Sequence, residues 1–175
     1  GRVRMIHHGA AIRARRLEEM IAAVALAGAR YDLTFMLFGD PRYIRDLEIY
    51  AEKYAPGRIH FRQPVEPAKI HSVLCEYDLG LFVLPSQGFN YLATLPNKFF
   101  EFVSAGLAVM VGPSPEMVSL IQEHGFGAWS ASFAPADVAA RLNQLSAVDI
   151  DAMKRAAICA RTQLCAEHEM KKLLD

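Results

Sequence analysis

Residues 84–112 read LPSQGFNYLATLPNKFFEFVSAGLAVMVG: a strand end, a glycine-bearing loop, a short helix and a second apolar strand in succession. The apolar run Leu79 to Leu84 ends at Pro85-Ser86. Beyond the loop, Phe99, Phe102, Val103 and Ala105-Gly106 keep helical spacing, so one helix face packs inward. Lys98 and Glu101, three residues apart, share another face that looks over the loop. Pro96 suits the first helical position, where no N–H is needed. The unsatisfied N–H groups of that first turn, with Lys98 beside them, form a seat for a phosphate.

Outward from this stretch the same alternation fills the chain. Val3 to Ile6 reads as a short strand and His7-His8-Gly9-Ala10-Ala11 as a turn; Leu17, Met20, Ile21, Val24 and Ala27-Gly28 then mark an amphipathic helix closed by glycine. Leu33 to Phe38 is a second strand, after which Asp40 caps a helix and Pro41 takes its first position. Ile44, Leu47, Ala51 and Tyr54 carry that helix to a stop at Pro56-Gly57. Ile59 to Phe61 is a third strand, leading through Gln63-Pro64-Val65 to a helix at Ile70, Val73 and Leu74, and Asp78 to Leu84 is the fourth. After the fifth strand, Leu107 to Val111, come a helix around Met117 to Glu123, a short strand at Phe126 to Trp129, a helix from Ala136 to Leu145 and a long one from Asp149 to the end. The strands are continuous apolar runs, as in strands buried on both faces of a parallel sheet, so the fold class is α/β, doubly wound, with helices on both faces.

A chain of 175 residues reads as one domain, 1–175, long enough to bury a core. With 53% hydrophobic and 22% charged residues the composition is globular, and 19 Lys and Arg balancing 19 Asp and Glu give no reason to expect nucleic acid as a partner. No apolar run approaches the roughly 20 residues of a membrane span and no signal-peptide core follows Gly1, so a cytoplasmic protein without a transmembrane segment is expected. A strand that starts almost at the first residue, and a last helix without a glycine or proline stop, lead us to expect a piece of a longer chain.

Cys75, Cys159 and Cys165 lack Cys-x-x-Cys spacing and are odd in number, which argues against a disulfide framework or a structural zinc site; they read as small core or helix residues. His7 and His8 point to opposite faces and cannot share one metal, leaving one buried and hydrogen-bonded and the other near the crevice. The remaining histidines show no metal spacing, so no metal site is expected.

In an open doubly wound sheet ligands bind beyond the C-terminal ends of the strands, where the strand order reverses, here between strands one and four. That crevice joins His8-Gly9 to residues 85–90, with Gln63 to Val65 on one side and the helix from Asn97 on the other.

Leu95-Pro96-Asn97-Lys98-x-x-Glu101, followed by Ser104-Ala105-Gly106-Leu107-Ala108-Val109, resembles the donor-sugar motif of nucleotide-sugar-dependent glycosyltransferases of the GT-B fold, group 1 or family 4-like, in their C-terminal domain. The similarity extends from His7-His8-Gly9 to Glu123-His124-Gly125-Phe126-Gly127. It implies one Rossmann-like half of a GT-B enzyme that moves a sugar, hexosyltransferase type, from a nucleoside-diphosphate donor such as a UDP- or GDP-sugar. It also implies a missing N-terminal domain that binds the acceptor, catalytic residues on that domain, no metal and no cofactor beyond the donor substrate. The isolated chain is then expected to be inactive, with residues 149–175 a helix reaching towards the missing domain, which could in turn bring the protein to the inner membrane face.

The resemblance assigns Glu101 to the nucleotide ribose hydroxyls, a role that suits an ionised oxygen pair; the plainer role is a Glu that complements the helix dipole. Lys98 falls at the diphosphate, where an anion between it and the positive helix end makes sense of its placement. A phosphate-binding cation is implied six residues after Gly9, which selects Arg15, although nothing in the sequence fixes which of Arg13, Arg15 and Arg16 points inward. Gly9 is either an ordinary turn glycine or a place where a diphosphate approaches bare backbone. Many members carry a further glutamate eight positions before the one matching Glu101; here that position is Ala93, and Gly88, Phe89 and Asn90 stand in place of the sugar loop. Two other readings remain: a sugar-nucleotide epimerase of the same fold, and a non-catalytic α/β binding or regulatory module such as a receiver. His7-His8-Gly9 stands where a receiver carries its acidic magnesium cluster.

Overall fold

The apolar runs become six parallel strands in one sheet, in the order β3-β2-β1-β4-β5-β6. The structure, a computed structural model, describes residues 1–84 and 95–174, with side chains as far as Leu164. The strands are β1 (Val3–Ala11), β2 (Tyr31–Gly39), β3 (Ile59–Arg62), β4 (Leu79–Phe82), β5 (Ala108–Val111) and β6 (Gly127–Trp129). The helices are α1 (Glu18–Leu26), α2 (Pro41–Tyr54), α3 (Pro67–Leu74), α4 (Asn97–Ser104), α5 (Pro115–His124), α6 (Pro135–Gln144) and α7 (Ala147–Leu174), with a 3-10 turn at Arg13–Arg15. The order reverses between β1 and β4, as expected from the sequence.

Side-chain alternation along the strands splits the core into two layers. Along β5, Ala108 and Met110 enter the layer that α1, α2 and α6 cover, while Val109 and Val111 enter the layer covered by α3, α4, α5 and much of α7. Asp40 caps α2 as expected, its carboxylate accepting from the Arg42 amide at 2.9 Å.

Several expectations need correction. His7 to Ala11 are not a turn but the second half of β1, because β2 pairs with them residue by residue as far as Ala11 opposite Gly39. Pro96 precedes α4 instead of opening it, in extended backbone whose carbonyl accepts from Phe99 N at 3.0 Å. Gly28 does not close α1 in a left-handed turn; the helix ends at extended Ala27, and the Gly28 amide donates to Asn143 Oδ1 at 2.7 Å. Of the two alternatives left open for the cysteines, core or helix, Cys159 and Cys75 take the second: both are exposed, Cys159 within α7 and Cys75 at the C-terminal cap of α3. Apart from these corrections, α7 buries Ala157, Ala160 and Leu164 against the second layer, while Val148 and Ile158 face out.

Gly80 in β4 explains how closely α4 lies on the sheet. A Cβ there would stand 2.3 Å from the ring of Phe102, so only a glycine lets that ring rest on the strand. This contact sets the height of α4 above β1 and β4.

Candidate functional site

Strand β1 runs beside the start of β4, with Met5 opposite Leu79 and Ile6 opposite Gly80, so the C-terminal half of β1 looks into the reversal crevice. The first turn of α4 returns over it. Gly9, with φ +129°, presents bare backbone there: an added Cβ would lie 2.6 Å from Lys98 Nζ and 3.9 Å from Arg15 Nη1. Two cations from distant parts of the chain thus converge on one glycine, at the start of a helix whose N-cap residue, Pro96, supplies no side-chain cap.

The three arginines left open by the sequence separate cleanly. Arg13 donates to Asp46 at 2.5 Å and lies over the Tyr43 ring, and Arg16, in left-handed backbone, pairs with Glu19. Arg15 turns back over β1, donating to the Ala10 carbonyl at 3.1 Å, which brings its guanidinium to Gly9 and Lys98.

Lys98 is half-buried, its Nζ 5.5 Å from the centre of the Phe82 ring. Burial, and next the like charge of Arg15, push its pKa down from 10.5 to about 8, with Glu101 opposing. Glu101, on the next turn of α4, keeps a side chain 40% exposed and brings Oε2 to 3.1 Å from His8 Nε2. That oxygen lies out of line with the ring N–H, so the two groups touch at ion-pair distance without an aligned hydrogen bond. Asn97 is exposed at the first position of α4.

His7 and His8 do face opposite ways. The Nδ1–H of His7 donates to the Leu81 carbonyl at 2.9 Å, and the ring, fully buried, stacks on Phe82. Burial, then the charge of Lys98, hold its pKa well below 6.5, so this imidazole is neutral. His8, 6% exposed, sets its ring edge-on to Phe102 with centroids 5.4 Å apart.

Of the expected site residues, Gly9, Arg15 and Lys98 come together and Glu101 stands one turn away; Gly88, Phe89 and Asn90 lie outside the described residues. The sequence did not single out Phe82 beneath Lys98, nor the contact of His8 with Glu101. Strand parity carried that signal, since His8 shares the side of Ile6, which packs in the layer of α4. Among the described residues no group of three or more His, Cys, Asp or Glu side chains could hold a metal ion, and no helix is long and apolar enough to cross a membrane.

The backbone is similar to that of several solved structures. WaaG, a glycosyltransferase involved in lipopolysaccharide biosynthesis, superposes with TM-score 0.72 at 16% identity over 92% of this chain and 43% of its own. The catalytic domain of a cholesterol-α-glucosyltransferase from Helicobacter pylori gives TM-score 0.72 at 14% identity, over 94% of this chain and 99% of its own. Anabaena Alr3699/HepE, in a complex with UDP and glucose, gives TM-score 0.74 at 15% identity, over 99% and 48%. The chain therefore spans less than half the length of WaaG and HepE, and at these identities the likeness speaks for a shared fold, the Rossmann-like α/β fold of GT-B proteins. No curated protein sequence matches. The family model for glycosyl transferases group 1 matches residues 2–147, most of the chain, and the protein belongs to that family.

Proposed function

We propose that this chain seats the nucleoside-diphosphate sugar donor of a glycosyltransferase, in a crevice that a second, N-terminal domain completes by binding the acceptor. The observation that supports this most is the convergence of Lys98 and Arg15 on Gly9 at the start of α4. Two cations and a positive helix end aimed at one patch of bare backbone are mutually unfavourable until an anion sits among them. A diphosphate over Gly9 meets that need, and its negative charge, growing as the sugar departs, is stabilised by the same groups. Glu101 then accepts from the ribose hydroxyls, with Asn97 at the first position of the same helix; the family resemblance adds Gly88, Phe89 and Asn90, outside the described residues, as contacts of the sugar.

The transferred group is a hexose in this reading, and UDP is the first nucleotide to test because HepE is described with UDP and glucose. Lys98, Arg15 and the helix dipole neutralise the diphosphate without a divalent metal. The group that activates the acceptor belongs to the second domain, so this chain alone binds donor without transferring sugar.

Calorimetric titration of the chain with UDP and with GDP in the presence of EDTA tests the reading. Saturable binding of at least one nucleotide is expected. Binding of neither, or binding only after magnesium is added, contradicts it.

A further inference from the structure

We infer that His8 is a positioning residue that holds the Glu101 carboxylate to the ribose, making the site selective for a nucleotide with its ribose diol intact; this rests on the nucleotide reading above. The direction of His8 is fixed by the backbone. β1 is paired to β2 along its whole length and to β4 on its other side, so the ring must point into the layer of α4. Phe102, itself seated on Gly80, closes one side of it. The result is a buried ring with little room to turn.

Its Nε2 has no aligned partner among the described residues, although Glu101 Oε2 lies only 3.1 Å away. A buried ring nitrogen without an aligned bond is unfavourable, and with Glu101 Oε2 already at 3.1 Å the pair needs alignment and not approach. A ribose whose hydroxyls bridge to that carboxylate orders it and rewards the alignment. His8 therefore acts through Glu101, on the ribose, and has no part in holding phosphate, which belongs to Lys98 and Arg15 on the Gly9 side.

The test compares wild type with His8→Leu, which removes the ring N–H at similar volume, and His8→Gln, whose amide nitrogen reaches the place of Nε2. Each is titrated with UDP, 2′,3′-dideoxy-UDP and inorganic pyrophosphate. His8→Leu should weaken UDP about fivefold to tenfold, the loss of one hydrogen bond, and His8→Gln should restore most of it. Dideoxy-UDP should bind wild type more weakly than UDP and be indifferent to His8→Leu, as should pyrophosphate. Should His8→Leu fail to fold, His8→Asn, polar but too short to reach Glu101, takes its place with the same expectations.

A wild type that binds no nucleotide defeats the proposed function and this inference with it. A wild type that binds UDP and dideoxy-UDP alike removes the ribose from Glu101. If those two differ but His8→Leu changes nothing, or weakens pyrophosphate as much as UDP, the inference about His8 alone is overturned.

Discussion

Lys98 Nζ occupies the space above Gly9 that a side chain would fill, 2.6 Å from where a Cβ would stand. Helix α4 and strand β1, far apart in sequence, meet there, and the glycine is needed on two counts, space and a φ of +129°.

Gly9→Ala separates those two counts. The ammonium is the far end of a flexible chain and moves aside, but the backbone conformation suits an L side chain poorly at a cost of about 1–3 kcal/mol, lowering Tm by about 2–12 °C in a domain this size. Displacing Lys98 and blocking the approach of a diphosphate should reduce UDP affinity by more than about tenfold. Thermal unfolding and calorimetry on one preparation check both; a variant with normal Tm and normal UDP affinity contradicts the account.

Lys98 gives the site a pH signature. Its pKa of about 8 in the free protein rises when a diphosphate neutralises its surroundings, so binding takes up protons near pH 8.5, and affinity declines as pH climbs through 8. Calorimetry in two buffers of different ionisation enthalpy reads the uptake, and Lys98→Met should abolish it. The same depressed pKa means that the unfolded chain binds more protons between pH about 8 and 10.5, so the contribution of Lys98 to stability rises with pH across that window. Lys98→Met should therefore raise Tm at pH 7 while weakening UDP; a lower Tm at pH 7 counts against a strained ammonium.

Arg15→Ala should weaken UDP and pyrophosphate by similar factors, with an effect that shrinks as salt is raised. Arg13→Ala and Arg16→Ala should leave both affinities within twofold, because those side chains are committed to Asp46 and Glu19. A ranking in which Arg13 or Arg16 matters more than Arg15 defeats the assignment.

The position of α4 depends on Gly80. Gly80→Ala drives a methyl into the Phe102 ring and should cost about 1–3 kcal/mol, read as a lower denaturant midpoint. Phe102→Leu in the same chain should recover part of that loss, and strictly additive losses contradict the packing described.

Much of this was legible in the sequence. Continuous apolar runs at Leu33 to Phe38 and Leu79 to Leu84 announce buried parallel strands, and Asp40-Pro41 announces a helix start, because these signals are local. The extension of β1 through His7 to Ala11 was not legible, since it comes from pairing with β2 and not from the residues themselves. At the site, the spacing of Lys98 and Glu101 marked a shared face, but which arginine joins Lys98 was settled only by Arg15 folding back to the Ala10 carbonyl. The contact of His8 with Glu101 spans two elements whose juxtaposition depends on Phe102 resting on Gly80, a fact of packing that no local pattern carries.

The central claim is that one nucleotide lies across the start of α4, its ribose at Glu101 and its diphosphate at Lys98. Calorimetry with uridine, UMP and UDP against wild type, Glu101→Gln and Lys98→Ala tests it most directly. Glu101→Gln should weaken UMP and UDP by a similar factor above tenfold, since a hydrogen bond to a charged group is worth roughly 1.5–3 kcal/mol. Lys98→Ala should penalise UDP more than UMP, leave uridine nearly untouched, and lose its extra penalty as salt rises. If Lys98→Ala weakens uridine as much as UDP, or Glu101→Gln changes nothing, the nucleotide does not lie across this helix start.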